Sequence, residues 1–228
     1  MKYSTSWFIR TISDHSAVTS ASELQSGCVL LERKHSPSIV VAPVSIDWLD
    51  IDHVKTILEA EKAAVICLIP KDSHYSWEAR ERAGDLESDV QTVKELYSSL
   101  GWEDPRGHID KNVGYAKDRL EQHNRVERLE MRCEASMKII RFGGASDKLV
   151  AIEYEYEFTE EALVRALKRH PGADVVLNSN PNGRPTGSAL RHAKDAGVAL
   201  FKIGELMGAL NYDGDAFIKY SGPEDRRR

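Results

Sequence analysis

Three strand-like runs, each followed by a helical pattern, occupy the stretch from Leu149 to Leu210, and this succession constrains the fold more than any other feature. The first run alternates apolar and acidic residues from Val150 to Phe158, as a strand with one buried face does. Thr159 and the two glutamates after it indicate a helix start, and Pro171-Gly172 indicates its end. An apolar run at 173–178 leads through a polar loop to a helix ending at Gly197. A third run, 198–203, precedes a last helix at 205–210. The pattern predicts the closing part of an α/β domain.

A further strand signal lies just before this unit. Apolar or small residues at the odd positions from Leu129 to Ile139 alternate with polar residues, which predicts one long strand. The glycine-rich segment Gly143–Asp147 predicts a turn, so this strand and the run from Val150 are expected to form a β-hairpin. The period of the apolar residues at Asp110–His123 predicts a helix in front of the hairpin.

The N-terminal third is predicted to be different in kind. Residues 1–72 predict a small strand-rich α/β lobe, and residues 73–108 predict a helical connector with one helix at Trp77–Ser99. The predicted strands of the lobe are Tyr3–Ile12, Cys28–Arg33, Ser38–Val44 and Ala63–Ile69, with a helix at Asp47–Glu61. Residues 213–228 predict a C-terminal tail ending in the solvated arginines 226–228. We find no internal repeat and no low-complexity segment.

Composition narrows the class of protein. The chain is 41% hydrophobic and 29% charged, which is typical of a globular protein. No run approaches the roughly 18 apolar residues that span a bilayer, and the N-terminus shows no signal peptide, so we expect a cytoplasmic protein without a membrane partner. The three cysteines are widely separated, which argues against a disulfide framework and a zinc site. The net charge of −5 provides no general attraction to nucleic acid but leaves room for a local basic groove.

The order of a helix, a long hairpin, a helix, a strand, a helix, a strand and a closing helix resembles the PD-(D/E)xK nuclease fold. The segment 175–210 resembles the C-terminal part of Mrr-type restriction endonucleases. The matching residues are Ala189, Ala193, Gly197, Val198, Glu205 and Leu206. The resemblance implies that residues 109–212 form a restriction-endonuclease-like α-β-β-α-β-α-β core with a mixed sheet, following the N-terminal lobe.

The resemblance also implies a catalytic site in the hairpin. Such nucleases carry an acid on the second strand and an acid-x-lysine on the third, and the acids bind a divalent metal ion. The third-strand pair would be Glu153 and Glu155, and the second-strand acid would be Glu134, with Glu130 as the alternative. Glu134 and Glu153 would hold Mg²⁺ or Mn²⁺, which prefer carboxylate oxygens. The implied substrate is DNA or RNA.

The lysine position departs from this pattern, because it holds Glu155. Lys138, on the same predicted face as Glu134, would then supply the positive charge, and Glu121 would be an additional acid. Two other interpretations remain open. The acidic residues could form the solvent face of a strand with Lys138 and Arg132 as cross-strand partners, or the fold could be a degenerate nuclease used for binding.

The polar loop 178–187 is the second candidate site. It joins the end of a buried strand to a helix N-terminus, where anions bind in many α/β proteins. Asn180, Arg184 and Thr186 would contact the ligand, although Asn-Pro and Asn-Gly also form turns without any ligand. The alternative function is therefore a non-catalytic module for protein assembly or for sensing a nucleotide or anion. A homo-oligomer or another protein partner is left open.

Overall fold

The structure, a computed structural model, describes residues 5–60 and 62–222. The chain divides into two compact units between Ile109 and Asp110. Each unit contains a five-stranded mixed sheet, so the predicted mixed α/β class is confirmed. The expected tail of arginines 226–228 lies outside the described residues.

Unit 1 ends at Ile109 and contains four helices and seven strands within its described part. Its helices are α1 (Thr5–Ser13), α2 (Ile51–Ala60), α3 (Trp77–Asp85) and α4 (Val93–Ser99). Its strands are β1 (Val18–Glu23), β2 (Val29–Arg33), β3 (Ile39–Val44), β4 (Trp48–Leu49), β5 (Val65–Leu68), β6 (His74–Tyr75) and β7 (Asp89–Thr92).

The main sheet of unit 1 has the strand order β1-β2-β3-β5-β7. Strand β2 is antiparallel to both of its neighbours, whereas β3, β5 and β7 are mutually parallel. Val41, Val65 and Asp89 are partners across the three parallel strands. The edge strand β7 therefore comes from the segment that was expected to be a helical connector. The short strands β4 and β6 form a separate parallel pair.

Helices cover both faces of this sheet. Strand β5 is buried along its whole length, and its side chains alternate between two hydrophobic clusters. Val65 and Cys67 pack in the cluster that contains residues of α1 and α4, whereas Ile66 and Leu68 pack in the one that contains residues of α2 and α3. A continuous apolar run is what a central parallel strand requires, since neither of its faces meets water.

Unit 2 begins at Asp110. Its helices are α5 (Lys111–Glu121), α6 (Glu160–Arg169), α7 (Gly187–Asp195), α8 (Ile203–Ala209) and α9 (Asp215–Ile218), with a short 3-10 helix at Phe142–Gly144. Its strands are β8 (Val126–Cys133), β9 (Ser136–Arg141), β10 (Lys148–Glu153), β11 (Glu157–Phe158), β12 (Val175–Asn178), β13 (Arg184–Pro185) and β14 (Ala199–Phe201).

The main sheet of unit 2 repeats the arrangement of unit 1. Its order is β8-β9-β10-β12-β14, with β9 antiparallel to both neighbours and β10, β12 and β14 parallel. Val150, Val175 and Ala199 are partners across the parallel strands. Helices α6 and α7 share one cluster with the sheet, to which Leu163 and Ala189 contribute.

The two units are thus a structural repeat, although the amino-acid sequence shows no internal repeat. Every helix and strand of unit 1 has a counterpart in unit 2 in the same order, and only the 3-10 helix and α9 are additional within the described residues. Local chemistry repeats as well. Ser76 and Thr186 cap α3 and α7 through their hydroxyls. Glu95 is the third residue of α4, and Glu205 is the third residue of α8. Each carboxylate accepts a hydrogen bond from the backbone amide of the residue that precedes its helix, Thr92 or Lys202.

A buried arginine of unit 1 connects the end of strand β2 to the chain segment that follows α4. Arg33 is the last residue of β2, and its Nη1 donates to the carbonyl oxygens of Leu100 at 3.2 Å and Trp102 at 2.6 Å. Its Nη2 donates to the carbonyl oxygen of Glu103 at 2.9 Å, and its Nε to that of Pro37 at 2.8 Å. The guanidinium therefore binds the chain where it leaves α4.

Arg141 does the same in unit 2. It is the last residue of β9, and its Nη1 donates to the carbonyl oxygens of Leu210 at 3.4 Å and Tyr212 at 2.7 Å, just after α8. Its Nε donates to the carbonyl oxygen of Ser146 at 2.7 Å, and its Nη2 to Asp213 Oδ1 at 2.7 Å. The correspondence of two buried arginines with matched backbone acceptors extends the repeat to individual side chains.

Four predicted elements are wrong. The strand predicted from Val150 to Phe158 is interrupted after Glu153, and Tyr154 and Tyr156, on its expected buried face, are exposed. The strand predicted at Tyr3–Ile12 is helix α1 from Thr5, because Phe8 and Ile12, four residues apart, are buried on one helical face. The helix predicted at Trp77–Ser99 is interrupted by strand β7, after Glu87 adopts a left-handed conformation with φ of 58°. The single strand predicted at 129–139 is the pair β8 and β9, joined by a turn at Glu134 and Ala135.

Candidate functional site

The two carboxylates expected at the catalytic strand end lie beside helix α6. Glu153 is the last residue of β10, and its Oε1 lies 3.5 Å from Arg169 Nη1, with only 11% of the side chain exposed. Glu155 Oε1 lies 2.7 Å from Arg165 Nη2. The two arginines are one helical turn apart on α6, so each carboxylate has its own cation. This arrangement neutralises both charges without a metal ion.

Lys138 and Glu134 take different places in the hairpin. Lys138 is on β9, opposite Glu130 and Leu149, and its Nζ lies 2.8 Å from Asp147 Oδ2. Its hydrogen bond and charge lower the pKa of Asp147. Glu134 lies in the turn before β9 and not on the strand itself. Lys138 is thus engaged by a carboxylate outside the predicted site.

The turn that carries Glu134 lies next to the end of β10. The amide of Ile152 donates to the carbonyl oxygen of Ala135 at 2.8 Å, beyond the last paired residues of β9 and β10. Glu134 and Glu153 are therefore at the same end of the sheet. Among residues 5–60 and 62–222, however, no group of three or more His, Cys, Asp or Glu side chains is arranged to hold a metal ion.

The other two acids considered for this site have cations of their own. Glu121, at the end of α5, lies 2.8 Å from Lys117 Nζ, and Glu130 lies 2.9 Å from Arg128 Nη2. Both pairs are substantially exposed to water, where an ion pair contributes little to stability.

A buried polar group next to this turn was not anticipated. Cys133 Sγ lies 2.9 Å from Ser136 Oγ and 3.6 Å from His170 Nδ1. Burial raises the pKa of the Cys133 thiol to about 12, and the charge of neighbouring Glu134 acts in the same direction. The thiol is therefore protonated at neutral pH and is unsuited to nucleophilic attack. Cys133 and His170 are 37 residues apart, so no local motif could have connected them.

The polar loop 178–187 is fastened to the end of β10 by its own side chains. Asn178 Oδ1 accepts from the amides of Glu155 at 3.1 Å and Asn180 at 3.2 Å, and its Nδ2 donates to the carbonyl oxygen of Glu155 at 2.9 Å. The Ser179 hydroxyl donates to the carbonyl oxygen of Glu153 at 2.8 Å. Gly183 packs so closely here that a Cβ would overlap Asn178 and the Glu155 carbonyl.

The three residues expected to bind a ligand in this loop differ in their roles. Asn180 is buried, and its Oδ1 accepts from the amide of Asn182 at 3.0 Å, which forms an Asx turn. Thr186 caps α7 by accepting from the amide of Ala189 at 3.2 Å. Arg184 is exposed to solvent. Two of the three side chains thus build the loop, and Arg184 is available to a ligand.

Two exposed tyrosines lie between and beside the glutamates. Tyr154 is 54% exposed and Tyr156 is 75% exposed, and they alternate with Glu153 and Glu155 along the chain. The amide of Arg184 donates to the carbonyl oxygen of Tyr156 at 2.9 Å, and Lys202 Nζ lies 3.3 Å from the carbonyl oxygen of Pro181 in the same loop. We refer to Tyr154, Tyr156, Arg184 and Lys202 as the β10-end surface. It combines exposed aromatic rings with cationic side chains.

Unit 1 does not reproduce the carboxylates. Val41 and Val150 hold the same place in the register of the parallel strands and are therefore counterparts. Equal steps along the two chains from these residues make Val44 the counterpart of Glu153 and Ile46 the counterpart of Glu155. The acidic positions of the candidate site are therefore apolar in unit 1.

Unit 1 instead contains a buried polar network that has no counterpart among the described residues of unit 2. Arg80 Nε and Nη2 donate to the two Asp89 carboxylate oxygens, and Arg80 Nη1 donates to the Tyr75 hydroxyl, which donates to Glu95. Gln91 Nε2 donates to Asp89 Oδ2. Segment 105–108 is bound to the network through the Pro105 and His108 carbonyls and the Gly107 amide. The side chains of the network therefore form their hydrogen bonds with other groups of the protein.

An open cleft of about 320 Å³ lies against this network. Trp77 and Arg106 contribute to its walls, together with Ser88, whose buried hydroxyl makes no hydrogen bond. Arg106 is already bound to Asp104, at 2.8 Å. The cations bordering the cleft are thus engaged by protein carboxylates.

Comparisons with protein-family models, with curated proteins and with solved structures gave no match for this chain. Within the described residues, no helix combines the length and the apolar character that crossing a membrane requires.

Proposed function

We propose that this chain is a tandem pair of restriction-endonuclease-like units that binds single-stranded nucleic acid without cutting it. The support from the fold is the order of elements implied by the resemblance, which occurs in both units. A helix precedes three antiparallel strands, and helices then alternate with two strands parallel to the third. Fold alone does not determine activity, so the proposal depends on the candidate site.

The observation that carries the proposal is the pairing of Glu153 with Arg169 and of Glu155 with Arg165. A metal-dependent nuclease uses its carboxylates to hold a cation that stabilises charge on the phosphate. Here guanidinium groups take the place of that cation. Their positive charge also offsets the repulsion that two bare carboxylates would exert on a phosphate backbone.

The β10-end surface provides the contacts for the nucleic acid. Tyr154 and Tyr156 expose their rings, and a base stacked on an aromatic side chain gains about 1–3 kcal/mol without sequence preference. Arg184 and Lys202 lie on the adjoining loop and strand end, where they would contact phosphates. Unpaired bases are accessible for stacking only in single strands, which is why the proposal specifies them.

Fluorescence anisotropy with labelled single-stranded DNA and RNA tests the binding. Tyr156→Ala should weaken binding roughly 5- to 100-fold, the equivalent of one lost stacked base, whereas Tyr156→Phe should retain it. Tyr115→Ala is the matched control, because Tyr115 is 52% exposed on α5 of the same unit. Equal affinity of wild type and Tyr156→Ala, or the absence of binding by wild type, would refute the proposal.

The second candidate is metal-dependent hydrolysis of DNA or RNA, with Glu134 and Glu153 as ligands of Mg²⁺ or Mn²⁺ and Glu155 and Lys138 beside them. The observation in its favour is the position of the Glu134 turn next to the end of β10. A cleavage assay on plasmid and RNA with either metal ion distinguishes the candidates. We expect no cleavage. Cleavage that is lost in Glu153→Ala but retained in Glu157→Ala would establish the nuclease instead.

A further inference from the structure

Helices α6 and α7 of unit 2 present a basic outer face. The exposed residues on each helix follow the spacing of one helical stripe. We define the basic face as Val164, Arg165, Lys168, Leu190, Arg191 and Lys194; its four cations outnumber Glu161 and Asp195, the exposed acids of the same two helices. Within the described residues Lys168, Arg191 and Lys194 make no ion pair, so their charges are directed to solvent. Val164 and Leu190, 46% and 49% exposed, place apolar surface among these cations.

Helices α2 and α3 of unit 1 present an acidic outer face. We define the acidic face as Asp52, Glu59, Glu78, Glu81, Asp85 and Leu86, all of which are exposed. Lys55 and Arg82 offset part of its charge by pairing with Glu59 and Asp85, at 3.8 and 3.5 Å. Glu78 and Glu81 make no ion pair in the described part of the chain. Leu86 is 41% exposed and supplies an apolar contact.

The two faces lie on corresponding helices of the repeat and have opposite charges at two counterpart positions, whereas Asp52 and Asp85 correspond to the acidic residues Glu161 and Asp195. Leu49 and Phe158 end the corresponding short strands before α2 and α6. Glu59 and Lys168 follow these strand ends by the same number of residues and are therefore counterparts. The caps Ser76 and Thr186 make Glu81 the counterpart of Arg191. The repeat has thus retained its internal arginines while acquiring opposite surface charges at these two positions.

We propose that the basic face of one chain docks on the acidic face of a second copy of the chain. The contact is heterologous, because different surfaces meet. Opposite charges align the partners, and Val164, Leu190 and Leu86 supply apolar area that leaves water. The charge complementarity of the two faces identifies a second copy as the occupant.

Sedimentation velocity at increasing protein concentration tests the docking. Wild type should associate at about 50 mM salt and dissociate at about 500 mM, because screening shortens the range of the attraction. The variant Lys168→Glu with Arg191→Glu should weaken association at least tenfold, and so should Glu59→Lys with Glu81→Lys. Lys111→Glu with Arg119→Glu changes the charge equally on exposed residues of α5 and should leave association unchanged.

Mixing the two face variants gives the decisive result. Each variant alone has lost the charge of one face, but the acidic face of the first variant and the basic face of the second are unaltered, so a heterocomplex should form in the mixture. A monomeric wild type at low salt, or a mixture that does not associate, would overturn the proposal. Loss of oligonucleotide binding by the Lys168 and Arg191 variant with wild type monomeric would assign the basic face to nucleic acid and would also overturn it. The effect of Tyr156→Ala on oligonucleotide binding tests the proposed function separately, whichever of these outcomes is found.

Discussion

Arg80 and Asp89 form a buried two-pronged ion pair in unit 1, with Nε to Oδ1 and Nη2 to Oδ2 distances of 2.8 and 2.9 Å. The corresponding positions of unit 2, identified by the α7 cap and by the strand register, are Leu190 and Ala199. The same place in the repeat is therefore ionic in one unit and apolar in the other. Substitutions at Arg80 and Asp89 can therefore show how much the ion pair contributes to the stability of unit 1.

Asp89→Asn should destabilise unit 1 by about 3–5 kcal/mol, because it removes the carboxylate that binds two Arg80 nitrogens and leaves only Glu95, at 3.8 Å, as an anion beside the buried guanidinium. Urea unfolding followed by circular dichroism measures the loss. Asp85→Asn is the control, since Asp85 is an exposed residue of α3 and its replacement should change stability by less than about 0.5 kcal/mol.

The double change Arg80→Leu with Asp89→Ala should cost less than Asp89→Asn alone. It introduces the residues that unit 2 carries and removes the buried Arg80 charge together with that of Asp89. Glu95 loses a cation at 3.8 Å but keeps the hydrogen bonds that it accepts from the Tyr75 hydroxyl and the Thr92 amide. A double-mutant cycle measures the coupling between the two sites. A double variant less stable than both single variants would show that the surrounding Tyr75 and Gln91 hydrogen bonds require the ion pair.

Arg33→Met and Arg141→Met should each destabilise their own unit by about 3 kcal/mol. Methionine fills much of the space but leaves one buried carbonyl oxygen without this donor, that of Leu100 or Leu210, at a cost of roughly 1–3 kcal/mol, and further half-buried ones. Chemical denaturation of the two variants provides the comparison. Arg10→Met, on the exposed side of α1, is the control, and a similar loss there would contradict the explanation.

Gly183→Ala should lower stability by about 2 kcal/mol and displace the loop, because its Cβ would overlap Asn178 and the Glu155 carbonyl. Gly187→Ala is the matched control, as the nearest atom to its Cβ would be Arg191 Nη1 at 3.5 Å. Thermal unfolding measures both. Equal unfolding temperatures for the two variants would mean that the loop adjusts without strain.

Acid should weaken the contact between Asp213 and Ser146. Hydrogen bonds from the Ser146 hydroxyl and amide hold the pKa of Asp213 well below its ordinary value of 3.8. A carboxyl whose pKa is lower in the folded state stabilises the fold above its unfolded-state pKa. Wild type should therefore be more stable than Asp213→Asn above pH 3.8, and the difference should shrink as the pH falls toward the lowered value. Unfolding curves from pH 7 to pH 2 measure it, with Asp195→Asn as the control.

Periodicity predicted most of the elements of unit 2, and one of its errors there, the single strand at 129–139, has a geometric cause. Met131 opposes Met137 and Leu129 opposes Ile139 across the β8–β9 turn. These partners are all odd-numbered, so the odd-numbered side chains lie on the same face of the hairpin in both strands. The alternation therefore runs through the turn without a break, and a hairpin resembles one long strand in the sequence.

The repeat was harder to detect because its units share geometry more than residues. Ser76 corresponds to Thr186 and Glu95 to Glu205, but Arg80 and Asp89 correspond to apolar residues. A buried strand needs only apolar side chains, so β5 and β12 can share a place in the fold without sharing a motif.

The sequence did not predict the ion pairs that Glu153 and Glu155 form. The sequence indicated Glu153 and Glu155 because they are two residues apart on a strand-like run. Their partners Arg169 and Arg165 come from the next helix, and helix rotation decides which side chains reach back to the strand. The bonds of Asn178 to the Glu155 backbone likewise depend on how two strand ends meet.

The arginines at the ends of β2 and β9 determine where either unit can be cut for separate expression. A fragment ending at Gly101 keeps every helix and strand of unit 1 but discards the Trp102 and Glu103 carbonyls that Arg33 binds. Extension through His108 restores them together with the acceptor for Arg80. Unit 2 must likewise reach Asp213 to satisfy Arg141. The smallest self-sufficient piece of this protein is thus defined by hydrogen-bond acceptors that lie beyond its last paired helix.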